Sequence, residues 1–98
     1  MTQTQIQGNT IRLRRVFTDF DGAAYDPTDI TLKLYDTQKV QIGETITVGA
    51  GHKVATGVYE VEVALPVGHD IIIYEFSGTD LRGNPDVVRR SLLTPWTG

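Results

Sequence analysis

Val58-Tyr59-Glu60-Val61-Glu62-Val63-Ala64-Leu65 is the stretch that decides the fold class. Tyr59, Val61, Val63 and Leu65 fall on one face with period two and Glu60 and Glu62 on the other, the pattern of a strand with one buried and one wetted side. A helix would scatter the same residues around its circumference. Working outward, residues 29–36 repeat the pattern, with Ile30, Leu32 and Leu34 opposed to Thr31 and Lys33. Residues 10–19, 40–48, 70–77 and 87–94 are also rich in Val, Ile, Thr, Tyr and Phe, which suit a pleated, half-buried surface. Turn chemistry separates these windows at Asp21-Gly22, Asp26-Pro27, Gly49-Ala50-Gly51, Thr56-Gly57, Pro66-Val67-Gly68 and over residues 78–85.

Lys53 to Ala55 adds a short seventh strand between two glycine turns. Seven short strands in a chain of 98 residues fit an immunoglobulin-like β-sandwich. The Cys–Trp–Cys core of antibody domains is absent, so the match is architectural, and a small five-stranded barrel is the alternative. Leu13, Phe17, Ile30, Leu32, Leu34, Tyr59, Val61, Val63, Ile72, Tyr74, Phe76, Val88 and Leu92 are expected to supply most of the core. Residues 10–94 form the domain, residues 1–9 a polar N-terminal arm that is free to extend over a neighbouring subunit, and residues 95–98 a C-terminal tail.

Ninety-eight residues with 40% hydrophobic side chains suffice for one modest core and leave no room for a second. The chain has no cysteine, which removes disulfides, zinc-thiolate sites and a Cys nucleophile. Nine basic and twelve acidic side chains give a net charge of −3, unlike the basic footprint that drives nucleic-acid binding. The N-terminus lacks the basic and apolar regions of a signal peptide. The longest purely aliphatic run, Ile71-Ile72-Ile73, is far too short for a membrane helix. A soluble chain with neither nucleic-acid nor membrane partners is expected.

A reaction centre is not evident. His52 and His69 each lie beside a glycine in a predicted turn, with no second histidine at metal-ligand spacing. Ser77 and Ser91 sit in no nucleophile elbow, and the glycines form no dinucleotide or phosphate loop. Residues 19–29 hold the carboxylates Asp19, Asp21, Asp26 and Asp29. They read as turns, Asp21-Gly22 tight and Asp26 opening an Asx-type turn before Pro27. A calcium site there is the alternative, although an EF-hand loop would require a Glu where Ile30 stands. No catalytic residue, metal site or cofactor is expected.

Arg12, Arg14 and Arg15 cluster on the first predicted strand and Arg89 and Arg90 on the last. Arg12 and Arg14 share a face opposite Leu13 and Phe17. One reading is a solvated face paired with carboxylates; another is a contact stripe for a protein partner. Trp96, two residues from the C-terminus, closes the open end of the sandwich or anchors a partner. Arg12, Arg14, Arg89, Arg90 and Trp96 are the candidate partner-contact residues.

Ile11-Arg12-Leu13 leading into Phe17-Thr18-Asp19-Phe20-Asp21-Gly22, then Asp26-Pro27-Thr28-Asp29-Ile30-Thr31-Leu32, Thr56-Gly57-Val58-Tyr59-Glu60-Val61 and Tyr74-Glu75-Phe76-Ser77-Gly78-Thr79, resemble a family of small Ig-like virion proteins of tailed bacteriophages. The resemblance spans residues 11 to about 80. It departs at Val87-Val88-Arg89-Arg90, where such proteins often carry a more acidic segment. It implies a non-enzymatic, multi-copy structural protein of the virion, assembled in the bacterial cytoplasm. A capsid decoration or cement protein that binds the major capsid protein is the expected role. A neck, connector or tail component is the alternative; a host-surface or carbohydrate-binding module is the reading of another class. That last reading requires exposed aromatics, and the sequence offers mainly Tyr25 and Tyr35 outside the expected core.

Overall fold

A computed structural model of the chain describes residues 2–4 and 9–94. The strands are β1 (Thr2–Thr4), β2 (Thr10–Val16), β3 (Thr28–Tyr35), β4 (Gln41–Thr47), β5 (Lys53–Ala55), β6 (Val58–Ala64), β7 (Ile71–Thr79) and β8 (Pro85–Leu93), with one 3-10 turn at Ala50–His52. They form a five-stranded sheet in the order β1-β8-β7-β3-β4 and a three-stranded sheet in the order β2-β6-β5. The seven strands expected from the pattern are therefore all present, including the short β5. Sheet order β8-β7-β3-β4 with β2-β6-β5 is that of an immunoglobulin-like sandwich, in which strands G-F-C-C′ face B-E-D. Two separate sheets replace the alternative of a five-stranded barrel. Among the described residues no helix is long and apolar enough to cross a membrane.

The deciding stretch behaves as its alternation requires. On β6, Tyr59, Val61 and Val63 are buried while Glu60 and Glu62 face outward opposite Arg14 and Arg12 of β2. From the larger sheet, Ile30, Leu32, Leu34, Ile72, Tyr74, Phe76 and Leu92 join them in one core. Val88 is the exception among the expected core residues, being only half-buried. Leu92 on the same side of β8 is fully buried, so the cover thins only toward the start of the strand. Leu65, which continues the buried face of β6, lies in the core as well, as do Tyr25 and Val48, which sit beyond strand ends where alternation carries no signal.

Of the expected N-terminal arm, residues 2–4 lie in a strand. Thr2–Thr4 pairs in parallel with Ser91, Leu92 and Leu93 of the same chain, so these three residues extend their own sheet. At the other end of β8, the backbone N–H of Thr94 donates to Asp70 O at 2.7 Å and its hydroxyl to His69 O at 2.5 Å. The backbone N–H and the hydroxyl of this fully buried residue are thereby satisfied.

Three of the connections use one five-residue turn. In residues 19–23, 36–40 and 80–84 the first residue is an aspartate whose Oδ1 accepts hydrogen bonds from the third and fifth backbone N–H groups at 2.8–3.0 Å. Its carbonyl accepts from the fourth N–H, and its own N–H donates to the fifth carbonyl. The geometry places the fourth residue in the left-handed region: Gly22 at φ +82°, Gly83 at +85° and, unusually, Lys39 at +68°. A side chain there costs about 1–2 kcal/mol, partly offset because glycine has more freedom to lose on folding. Lys39→Gly is therefore expected to raise stability by about 0.5–1 kcal/mol. Urea unfolding measures it; an unchanged or lower midpoint would refute strain at this turn.

Candidate protein-contact site

The 17–27 loop is held from below before it presents anything above. Phe17 at its start is fully buried and packs edge-on against Tyr25 and Tyr59, with ring centroids 6.3 and 5.9 Å away. The Arg15 guanidinium lies 4.8 Å from the same ring. Arg15 shares the inward side of β2 with Leu13, and its Nη2 donates to Asp86 Oδ1 on β8 at 3.0 Å. Tyr25 donates to the other oxygen of Asp86 at 2.6 Å. Asp86 thus joins the β2 edge, the 17–27 loop and β8. Burial, reinforced by the hydrogen bond to Asp86 and the negative charges of Asp86 and Asp80 against the opposing Arg15, pushes the Tyr25 phenol up to about 12.

Asp26 fixes the far end of the loop. Its Oδ1 accepts from Gly57 N at 2.8 Å and Tyr59 Oη at 3.2 Å, and its Oδ2 accepts from Lys53 Nζ at 2.7 Å. The Lys53 hydrogen bond, followed by that from Gly57, holds the Asp26 carboxyl below its ordinary 3.8. A carboxyl depressed in the fold contributes stability that is fully present above its unfolded value and is lost as pH falls through the folded value. Asp26→Asn is thus expected to flatten the acid limb of stability against pH below about 4. Thermal unfolding scanned from pH 6 to 2 measures it; an acid limb as steep as the parent's would contradict the assignment.

Above this base the 17–27 loop and the 80–84 turn stand side by side and enclose a cleft of about 460 Å³. Tyr25 and Asp86 line it, together with Phe20, Leu81 and Arg82. Phe20 is 86% exposed and Leu81 76%, the two most exposed large apolar side chains of the described residues. Each sits at the second position of one of the aspartate turns, where no backbone requirement demands an apolar group. The Arg82 guanidinium spans the gap, 5.0 Å from the Phe20 ring.

Comparison with known proteins returns no match. No family model, curated protein or solved structure matches this chain. What the site can do is therefore read from its own geometry: an apolar pair on two internally hydrogen-bonded turns, over a partly buried Tyr–Asp–Arg cluster, suits contact with another macromolecule.

The candidate arginines are not brought together. Arg12 and Arg14 stand on the outer face of the smaller sheet, paired with Glu62 at 3.2 Å and Glu60 at 3.8 and 4.0 Å. At about 60% side-chain exposure such pairs contribute roughly 0–1 kcal/mol each. Arg89 lies on the opposite side of the sandwich, its Nε 2.6 Å from Oε2 of Glu75. Glu75, between Lys33 and Arg89 on the sheet, is itself buried. Arg90 is exposed and donates to the Arg89 carbonyl. Trp96 lies outside the described residues.

The other expectations resolve locally. His52 accepts a hydrogen bond from Gly49 N on its Nδ1 and so closes the 3-10 turn. In the 19–29 stretch, the carboxylates of Asp19 and Asp26 diverge, one serving its own turn and the other the β5–β6 hairpin. Among the described residues no cluster of three or more His, Asp or Glu side chains placed to hold a metal ion occurs. Tyr25, expected outside the core, is only 6% exposed because its ring packs on Phe17 and its hydroxyl finds Asp86. The Phe20–Leu81 pair was not singled out from sequence. The available signal was the repeated spacing Asp19…Gly22 and Asp80…Gly83, which marks two like turns with an apolar residue at the same position.

Proposed function

We propose that the protein is a non-enzymatic structural component of a tailed-bacteriophage particle, present in many copies and decorating the head shell through contact with the major capsid protein. The observation that carries this reading is the apolar pair Phe20 and Leu81, exposed on two internally hydrogen-bonded turns at one end of a rigid sandwich. Exposed apolar groups on a preorganised scaffold lose little order on binding. Weak contacts of this kind, repeated by the symmetry of a shell, sum to firm attachment. The sequence resemblance to Ig-like virion proteins supplies the particle context. A carbohydrate-binding module is less well supported, because Tyr25 is withdrawn into the core, Tyr35 is half-buried and, among the described residues, Phe20 is the only exposed aromatic side chain.

Mass spectrometry of purified particles with copy-number estimation tests the assignment. Hundreds of copies are expected; roughly six or twelve would place the protein at the neck or connector, and absence from particles would overturn the reading. Adding purified Phe20→Ser/Leu81→Ser protein to particles lacking the wild type should give strongly reduced occupancy. Arg12→Gln/Arg14→Gln protein tests the alternative contact stripe in the same assay.

A further inference from the structure

We infer that the cleft between the 17–27 loop and the 80–84 turn receives a partner segment carrying an arginine or lysine next to an apolar side chain. The inference deepens the particle reading by naming the chemistry of the partner surface, and rests on it only for where that partner is found.

The apolar half of the argument is Phe20 and Leu81, which face a common concave site from two different connections. Scattered exposed apolar residues need no explanation, but two converging on one cleft do. The charged half is the imbalance around them. Asp86 is already matched by Arg15, which leaves Asp19, Asp21 and Asp80 in the lining against Arg82. Asp19 and Asp80 spend Oδ1 on their turns. Among the described residues their Oδ2 atoms, and both oxygens of Asp21, accept no hydrogen bond and join no ion pair. The cleft therefore offers acceptors and negative charge beside apolar surface.

That combination selects its occupant. An acidic or phosphorylated segment would be repelled, and a wholly apolar one would strip water from carboxylates without replacing it. A guanidinium or ammonium on an apolar-flanked stem satisfies both halves, its head on the carboxylates and its stem along Phe20 and Leu81. The chain itself shows that a cation suits this ring, since Arg82 lies over Phe20 in a cation–π arrangement. Both turns are closed by four hydrogen bonds each, so the groups are held in place before the partner arrives.

The test is an NMR titration of the full-length ¹⁵N-labelled protein with two acetylated, amidated peptides, Leu-Arg-Leu-Arg and Leu-Glu-Leu-Glu. The basic peptide is expected to shift amides of residues 19–24 and 80–84 in a saturable, salt-sensitive manner, and the acidic peptide to leave them in place. Phe20→Ser/Asp21→Asn, which alters only exposed side chains, should weaken the basic peptide about tenfold, one cation–π contact and one carboxylate together. Equal response to both peptides, no response at millimolar concentration, or shifts centred on the Glu60–Glu62 face would overturn the proposal. If particles contain the protein yet the peptide does not bind, only the cleft assignment fails. If the peptide binds and particles lack the protein, only the particle reading fails.

Discussion

Gly57→Ala is expected to destabilise the protein by about 3–5 kcal/mol, combining the cost of a left-handed side chain with overpacking. Gly57 has φ +74°, and a Cβ there would lie 2.7 Å from the carbonyl oxygen of Phe17 and 2.9 Å from that of Tyr25. Both neighbours are backbone and cannot swing aside. The same point carries three hydrogen bonds: Phe17 N to Gly57 O, Tyr25 N to Phe17 O, and Gly57 N to Asp26. Moving the hairpin away to admit a methyl group would loosen the root of the 17–27 loop. Gly22→Ala is the control, since Gly22 has φ +82° with nothing within 4 Å of its Cβ position; it should cost only about 1–2 kcal/mol. Urea denaturation of both variants reads the difference, and equal losses would show that close approach at Gly57 does not matter.

Phe17→Ala should lower stability by a similar amount, about 3–5 kcal/mol. The ring is fully buried and contacts two other aromatic rings and a guanidinium. Its removal takes away the transfer free energy of the side chain, leaves a cavity, and deprives Arg15 of the surface over which its partly buried charge rests. Phe17→Leu keeps much of the volume and should lose about 1–2 kcal/mol. A loss below about 1 kcal/mol for the alanine variant, measured by thermal or urea unfolding, would mean that Tyr25, Tyr59 and Arg15 are held by something other than this ring.

Strand positions were legible in the sequence because a sheet with one buried face writes its period directly into the residues. Tyr59, Val61 and Val63, or Ile30, Leu32 and Leu34, have no other way to share a face. Legibility faded where the chain left the sheets. Tyr25 reads as a loop tyrosine, and only its distant partners Phe17 and Asp86 explain its burial. The turn aspartates read as an acidic run, whereas their spacing to the fourth residue was the informative feature. Sequence alone names the arginines of the first and last strands as contact candidates but does not say which sheet carries each strand. Membership of different sheets puts Arg12 and Arg14 on one side of the molecule and Arg89 on the other. Nothing local to Thr2–Thr4 announces its parallel pairing with β8, since the partner strand lies at the opposite end of the chain.

The thrice-used aspartate turn has a consequence for how such a protein can change. Within each turn the first and fourth residues satisfy the backbone, while the second and third, Phe20-Asp21, Thr37-Gln38 and Leu81-Arg82, carry side chains that the turn geometry does not require. Recognition and folding are thereby written in different letters of the same short word. New contact chemistry can be tried at these turns without renegotiating the scaffold beneath them.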